Sequence, residues 1–290
     1  MRTFILGTDW GEDCDDCVAV RILARAHQKG EINLAGIGIN TLTDISAPSL
    51  YRFLEKEGVM LPIGVDKKCP HQIRYVTYQK RLAAETDKTN DDFEDSVRLY
   101  RRILAESDGD VEILEVGFLQ VIAGVLMSQS DDISPKSGKE LFCEKVKKIW
   151  IMGGKWDEQA GAEYNFCKYP FAQASSHTFV SNCPCPITFL GWEVGHNLLT
   201  GNLLPKDDFL YLTLADHGSG NGRESWDPML VALALTNDNE KAGYKTVRGT
   251  AAVDNHGLNY FQEDANGPHE YVVKAQPDEF YINIINNLIA

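Results

Sequence analysis

The acidic residues near the start of the chain are the densest group of chemically active side chains in the sequence. Four aspartates and one glutamate fall within positions 9–16. Carboxylates packed this closely repel one another, and their pKa values rise unless a cation neutralises them. One aspartate, at position 15 or 16, would suffice to cap a following helix, so the surplus needs another cause. Because oxygen-rich clusters suit hard cations, the cluster predicts a site for Ca²⁺ or Mg²⁺.

Two familiar acidic motifs do not fit this segment. A calcium-binding EF-hand loop that began at Asp9 would need glycine and glutamate at the positions of Cys14 and Val20. A phosphatase that forms an aspartyl-phosphate would need a nucleophilic aspartate two residues before Asp9, and that position is Gly7. The cluster is therefore typical of neither class.

Short β-rich segments alternate with helical patterns along most of the chain. The predicted strands are residues 3–6, 33–39, 60–65, 111–116, 148–152 and 186–190. The predicted helices are residues 17–26, 46–56, 91–107, 119–127, 170–180, 227–235 and 281–288. This alternation favours an α/β fold with a mostly parallel, Rossmann-like central sheet and helices on both faces, in a single domain over residues 1–290. Ligands bind beyond the carboxyl ends of such strands, and the acidic cluster follows the first strand.

Two polar and aromatic segments, residues 66–90 and 251–269, fit no helix or strand pattern. Long irregular segments in a compact domain are often loops over an active site, so both are expected to be loops. His71, Tyr75 and Tyr78 lie in the first of them and either close over a ligand or face solvent. Trp192 is expected to pack in the core, as aromatic residues at strand ends usually do.

Composition excludes several classes of partner. The formal net charge is −14, which repels phosphate backbones, so nucleic acid is not expected as a partner. No window of about 18 apolar residues predicts a membrane span, and Asp9 interrupts the first apolar segment too early for a signal peptide. The seven cysteines are an odd number without a recurring spacing, which favours free thiols in a reducing cytoplasm.

Five segments, in order along the chain, resemble motifs of the inosine/uridine-preferring nucleoside hydrolase family. The acidic cluster, G-T-D-W-G-E-D-C-D-D, resembles a longer-spaced form of the family signature, D-T-D-x-G-x-D-x-D-D. The other segments are E-V-G-F-L-Q at 115–120, G-G with A-E-Y-N within 153–165, P-I-T-F-L-G-W-E-V at 186–194 and S-W-D-P at 225–228. The resemblance covers about residues 3–235, and it is the shared order that makes it specific.

The resemblance implies a role for each matching residue. The calcium ligands would be Asp9, Asp16, the main-chain carbonyl of Gln120, and Asp227. Ribose hydroxyls would be held by Asp15, Asn40, Glu163 and Asn165. Asp9 would also act as general base on the attacking water, and Trp226 would stack on the base. The implied reaction is hydrolysis of the N-glycosidic bond of a ribonucleoside with one Ca²⁺, by a protein that forms a dimer or tetramer of identical subunits.

Two departures from the family pattern affect this interpretation. Gly7 stands where the family signature has its first aspartate, which weakens the support of the metal site. Trp226 stands where some members have a proton-donating histidine, so the acid for the leaving group is unassigned. The large face of Trp226 favours purine over pyrimidine nucleosides. Two alternatives are open: a nucleoside-binding protein without turnover, and a Mg²⁺-dependent phosphohydrolase.

Overall fold

The computed structural model describes residues 1–70 and 77–290. Within these residues the strands, numbered β1 to β12 along the chain, are Arg2–Thr8, Ile32–Ile39, Ile63–Val65, Glu94–Asp95, Val111–Glu115, Val146–Met152, Ile187–Leu190, Leu199–Thr200, Arg223–Glu224, Tyr244–Val253, Asn259–Glu263 and His269–Lys274. The helices, α1 to α12, are Asp15–Gln28, Ser46–Lys56, Thr77–Ala83, Ser96–Glu106, Gln120–Met127, Gly138–Lys145, Tyr164–Cys167, Pro170–Asn182, Trp192–Gly195, Phe209–Asp216, Trp226–Thr236 and Asp278–Ile289. His71 and Tyr75 lie outside the described residues, so their suggested role stays a prediction.

A ten-stranded sheet forms the centre of the structure, with the order β11-β10-β12-β7-β6-β5-β1-β2-β3-β4. Pairing is parallel from β12 to β4, and β10 is antiparallel to both β11 and β12. The predicted α/β class with a mostly parallel sheet is therefore confirmed. The chain runs from β1 outward to β4 and then returns to β5 on the other side of β1. This reversal of strand order is the place where sheets of this kind bind ligands.

Helices cover both faces of the sheet, as predicted. Alternate residues of β1 point to opposite faces, and they belong to two separate apolar clusters. Phe4 and Leu6 pack in a cluster with α1, α2, α11 and α12, while Ile5 packs with α4, α5, α6 and α8. All five residues of β5 are buried, which is typical of a central strand in a parallel sheet. In the described part of the chain, no helix has the length and apolarity needed to cross a bilayer.

The predicted loop over residues 66–90 is wrong in part, because it contains α3. Tyr78 and Leu82 are four residues apart on this helix, and both are fully buried in the core. The hydroxyl of Tyr78 donates a hydrogen bond to the main-chain oxygen of Asp13 at 2.7 Å. Tyr78 therefore supports the acidic turn from behind and does not face solvent.

Two other segment predictions are wrong in part: the predicted loop 251–269 contains strands, and the predicted helix 91–107 begins later than expected. Residues 251–269 form the end of β10, β11 and the start of β12, and the strand residues alternate between buried and exposed. Asp254 makes the intervening turn by accepting hydrogen bonds from the backbone N–H groups of His256 and Leu258. The predicted helix 91–107 begins only at Ser96, because Asp95 caps it by accepting from two backbone N–H groups.

Arg21 fixes the position of α1, the helix that begins with the last two residues of the acidic cluster. Its side chain is 2% exposed and forms ion pairs with Glu57 at 2.5 Å and Asp208 at 2.8 Å. Glu57 follows α2, and Asp208 caps α10 through the N–H groups of its first turn. One buried guanidinium therefore joins three helices on the same face of the sheet.

We expect Arg21→Ala to lower the free energy of unfolding by about 3–5 kcal/mol, because it removes the 2.5 Å partner of the buried Glu57 and leaves it with Arg25, which lies 3.8 Å away. Urea denaturation followed by circular dichroism measures the change. Arg98→Ala serves as the control, since Arg98 pairs with Asp132 on the surface, where both side chains are largely exposed. A loss below about 1 kcal/mol for Arg21→Ala would contradict the anchoring role.

Candidate active site

Most of the residues predicted to do chemistry meet in one cavity at the carboxyl ends of β1, β5 and β6. The cavity has a volume of about 300 Å³, at the lower end of the range for small-molecule sites. The predicted residues that line it are Asp9, Asp15, Glu163, Asn165, Trp226 and Asp227. The cavity is also lined by Trp192, and by three residues to which the sequence assigned no role: Glu12, Asp13 and Arg223. The cavity lies at the reversal of strand order, where the fold places a ligand.

Close packing of two strand ends shapes the base of the cavity. A Cβ atom added to Gly117, just after β5, would lie 2.5 Å from the backbone nitrogen of Asp9 and 2.7 Å from its Cβ. Only glycine allows these two backbone segments to approach this closely. At the end of β1, the hydroxyl of Thr8 donates a hydrogen bond to Asp16. Asp9 and Asp16 are thus held beside each other by residues of β1 and β5.

The carboxylates of this site are buried and repel one another. Asp9, Asp15, Asp16 and Asp227 are each at most 7% exposed. Burial raises the pKa of Asp9 well above its usual value, and repulsion from Asp16 raises it further. Burial and repulsion from Asp13 raise the pKa of Asp16 to about 7. The pKa of Asp227 is raised by burial and by Asp15. A cation would relieve this repulsion and restore the charged forms.

The donor set fits a hard divalent cation, although the side chains do not form a closed cage. Asp16 Oδ2, both side-chain atoms of Asn40, and Gln120 Oε1 are buried and have no hydrogen-bond partner among the described residues. Carboxylate and amide oxygens are the ligands that Ca²⁺ prefers. Within residues 1–70 and 77–290, no three Asp, Glu, His or Cys side chains are grouped closely enough to hold an ion as they stand. The carboxylates would therefore have to draw together around it.

Gln120 and Asn40 lie next to each other beside the carboxylates. Gln120 is the first residue of α5, and its side-chain nitrogen donates to the main-chain oxygen of Asn40. The same nitrogen lies 3.3 Å from Asp66 Oδ2. The hydrogen bond from Gln120 to Asn40 joins the ends of β2 and β5 across β1. The predicted use of the Gln120 carbonyl as a metal ligand stays a prediction.

Glu163 and Asn165 also line the cavity, and Glu163 joins the end of β6 to α7. The carboxylate of Glu163 caps α7 by accepting from the N–H groups of Asn165 at 2.8 Å and Phe166 at 3.3 Å. It also accepts from the N–H of Gly154 at 3.0 Å, which ties the end of β6 to this helix. A carboxylate has about four acceptor positions, so one is left for a ribose hydroxyl. Burial raises the pKa of Glu163 to about 7.

Trp226 and Trp192 form an aromatic wall at one end of the cavity. The indole nitrogen of Trp226 donates to the main-chain oxygen of Trp192 at 2.8 Å. Trp192 stacks on His196 with ring centroids 4.2 Å apart, and His196 pairs with Glu224 at 2.8 Å. Trp192 was expected in the core and instead lines the cavity, because it opens the short helix α9 directly after β7 ends.

Arg223 brings a positively charged side chain to the lining of the cavity, and the sequence did not predict a role for it. Its Nη2 donates to Asp13 at 2.8 Å, and its Nε lies 3.4 Å from Asp15. Its Cζ lies 5.3 Å from the ring centroid of Trp226. Burial alone would lower the pKa of Arg223, but the two aspartates raise it above its usual value. A signal was present in the sequence, since Arg223 lies two residues before the S-W-D-P motif in the segment R-E-S-W-D-P.

Comparison with known proteins identifies the fold. No protein-family profile matches the sequence, and no curated relative does. The solved structure of the plant nucleoside hydrolase PpNRh1 is 16% identical, with a TM-score of 0.73 over 99% of this chain and 98% of that chain. A purine-preferring ribonucleoside hydrolase from Gardnerella vaginalis is 17% identical, with a TM-score of 0.70 and 99% of both chains covered. The fold is that of the nucleoside hydrolases.

The nucleoside hydrolase fold also occurs in a protein of another kind. The type III effector protein XopQ, solved in complex with adenosine diphosphate ribose, is 15% identical, with a TM-score of 0.72 over 99% of this chain and 93% of that chain. The predicted resemblance is thus confirmed at the level of the fold, and the activity of this chain has to be argued from its own residues.

The raised pKa values give the stability a specific pH dependence. Burial raises the pKa of Asp16 and Glu163 to about 7 and that of Glu115 to about 8. The folded protein therefore binds more protons than the unfolded chain at neutral pH, and stability falls as pH rises. In a chelating buffer we expect the Tm to decrease from about pH 6.5 to pH 8. His217 and His269, whose pKa values burial lowers from 6.5, oppose this trend only while the unfolded histidines are still protonated, which ends by about pH 7.5.

Calcium should flatten this slope and raise the Tm, because a cation favours the charged carboxylates and binds only the native state. Differential scanning fluorimetry with and without calcium measures both effects. A Tm that rises with pH in the chelating buffer, or that calcium leaves unchanged, would contradict this description of the carboxylates.

Proposed function

We propose that this protein hydrolyses the N-glycosidic bond of ribonucleosides, with a preference for purines, to ribose and a free base. The observation that carries the proposal is that two chemically different sets of residues line the cavity, which we call the acidic half and the aromatic half. Asp9, Asp15 and Asp227 form the first, and Trp192 and Trp226 form the second. A nucleoside has the same division, because a polar sugar is joined to an apolar ring. The nucleoside hydrolase fold supports the assignment.

The acidic half would bind the sugar and attack it. Asp9 is the proposed general base, which accepts a proton from the attacking water. Asp15, Asn40, Glu163 and Asn165 are the proposed acceptors and donors for the ribose hydroxyls. A bound calcium ion, held by Asp9, Asp16, Asp227 and the Gln120 carbonyl, would supply Lewis acidity and orientation. The surrounding carboxylates favour the positive charge that develops on the sugar as the glycosidic bond breaks.

Asp9→Asn is expected to reduce ribose release by at least about 10²–10⁴-fold, since it removes the base and also weakens the metal site. A reducing-sugar assay with inosine and calcium measures the loss. Asp132→Asn is a matched control, because Asp132 is an exposed surface residue that pairs with Arg98. If Asp9→Asn keeps most of the wild-type activity, another residue activates the water.

The aromatic half would bind the base, with Arg223 beside it. Trp226 offers a face for stacking, and a two-ring purine gains more from that face than a pyrimidine does. The departing base carries negative charge that has to be neutralised. Arg223 lies between Asp15 and Trp226, and its two bonds to aspartates use only two of its five N–H donors. Arg223 is therefore the proposed group that stabilises the leaving base, as a hydrogen-bond donor and not as a proton donor.

Substrates with different leaving groups test this role. Arg223→Gln should lower kcat/KM for inosine by about 10²–10³-fold, because a donor to the developing charge is lost. It should affect 4-nitrophenyl riboside much less, since nitrophenolate leaves without help. Trp226→Ala should reduce the preference for purines over uridine. Equal losses on both substrates would show that Arg223 only holds the aspartates in place.

Binding without hydrolysis is the competing function, suggested by the fold neighbour solved with adenosine diphosphate ribose. The charge of the cavity opposes a diphosphate ligand, because Asp9, Glu12, Asp13, Asp15 and Asp227 face it and Arg223 offsets only part of their charge. A panel of nucleosides and nucleotides, assayed for ribose and for phosphate, separates the functions. Ribose release supports the hydrolase, phosphate release indicates a phosphohydrolase, and binding with neither product indicates a receptor.

A further inference from the structure

A buried carboxylate, Glu115, lies beneath the proposed active site and has no role in the function described so far. Gly7 of β1 and Glu115 of β5 are direct partners across the parallel ladder. Glu115 is fully buried, and its side chain lies over Gly7. A Cβ atom added to Gly7 would overlap the Oε2 of Glu115 and lie 2.5 Å from its Cδ. The carboxyl group therefore occupies the space that a side chain at position 7 would fill.

A second glycine completes the space around this carboxylate. Gly38 of β2 is the partner of Gly7 on its other side. A Cβ atom added to Gly38 would lie 2.6 Å from a ring carbon of Tyr100, which comes from α4. The hydroxyl of Tyr100 donates to Glu115 Oε1 at 3.0 Å. Two adjacent glycines thus form a trough in the sheet, and the Tyr100–Glu115 pair lies in it.

The trough leads directly to the strand ends that carry the site. Two residues further along the three strands stand Asp9, Asn40 and Gly117, the last of which contacts Asp9 closely. Residues two apart in a strand point to the same face and are about 6.6 Å apart along it. The main-chain hydrogen bonds Val116 N to Gly7 O and Asn40 N to Thr8 O continue the sheet to this point. Glu115 therefore belongs to the layer directly behind Asp9 and Asn40.

Packing alone does not account for a carboxylate here. Glu115 Oε2 is buried and has no hydrogen-bond partner among the described residues, and the side-chain atoms of Asn40 are in the same state. An unpaired buried oxygen costs about 1–3 kcal/mol, so an apolar residue would be more stable if the position served only the core. Gly7 leaves β1 without a side chain at this point, and the carboxyl group of Glu115 fills that space from β5.

We propose that Glu115 supplies, from β5, the carboxylate that β1 lacks at position 7, and that it is a positioning residue for the calcium and ribose side chains in front of it. This inference rests on the proposed function for the identity of the ion and the sugar. Glu115 acts through Asp9 and Asn40 and does not touch substrate. Loss of a group that supports metal ligands in this way lowers metal affinity about 10- to 100-fold.

Moving the carboxylate back to β1 tests the proposal. The variants are Glu115→Gln, Glu115→Ala, the double variant Gly7→Asp/Glu115→Ala, and the control Gly7→Ala/Glu115→Ala. Calorimetric titration with calcium gives the affinity, and fluorimetry gives the rise in Tm that calcium causes in each protein. Ribose release from inosine is measured in the same buffer. The rise in Tm is the diagnostic quantity, because a merely structural role would lower the Tm equally with and without calcium.

Glu115→Ala should weaken calcium binding about 10- to 100-fold and shrink the calcium-dependent rise in Tm. Gly7→Asp/Glu115→Ala should recover most of that loss, and Gly7→Ala/Glu115→Ala should not. Glu115→Gln keeps the shape of the side chain, so it reports on the charge even if the alanine variant fails to fold.

The proposal is overturned if the Glu115 variants bind calcium as the wild type does, or if the relocated aspartate binds it no better than the alanine control. It is also overturned if the wild type does not respond to calcium. Ribose release by the wild type judges the proposed function separately. A wild type whose calcium affinity depends on Glu115 but that releases no ribose would sustain the inference and refute the hydrolase.

Discussion

Mutual repulsion among Asp9, Asp15, Asp16 and Asp227 is the interaction on which the other features of the site depend. Each carboxylate is almost fully buried, so neither water nor salt screens the repulsion as it would on a surface. The protein offsets part of it with neutral and cationic donors, chiefly the hydroxyl of Thr8 and the guanidinium of Arg223. The remaining repulsion is the physical reason for proposing that the cluster binds a cation, because binding would remove it.

The fold brings these charges together from distant parts of the chain. Asp9 follows β1, Gly117 follows β5, and Asp227 lies in the first turn of α11. The cavity therefore forms only when these three distant parts of the chain are packed together. Long-range contacts of this kind require a rigid frame. Arg21 provides part of it by joining α1 to two neighbouring helices, and the buried apolar strands provide the rest. The energetic cost of the acidic site is therefore met by packing elsewhere in the domain.

The sequence predicted the acidic turn and the main strands well, because both are local signals. The spacing of acidic residues and the uninterrupted apolar segments can be recognised in the sequence without knowledge of the tertiary structure. It did not predict Arg223 in the site or the glycine trough under it, because each depends on residues far apart in the chain. Gly7 was interpreted as a loss of support for the metal. Only the register of β1 against β5 shows that Glu115 occupies the vacant space.

In the proposed reaction the two ends of the nucleoside need opposite charges, and Arg223 would stand between them. The sugar end needs negative charge, since the ribose becomes positive as the glycosidic bond breaks. The base end needs positive charge or a donor, since the leaving ring becomes negative. Arg223, which Asp13 and Asp15 hold beside Trp226, would serve the second task. The same ion pairs that keep Arg223 in place would therefore create the polarity that cleavage of the glycosidic bond requires.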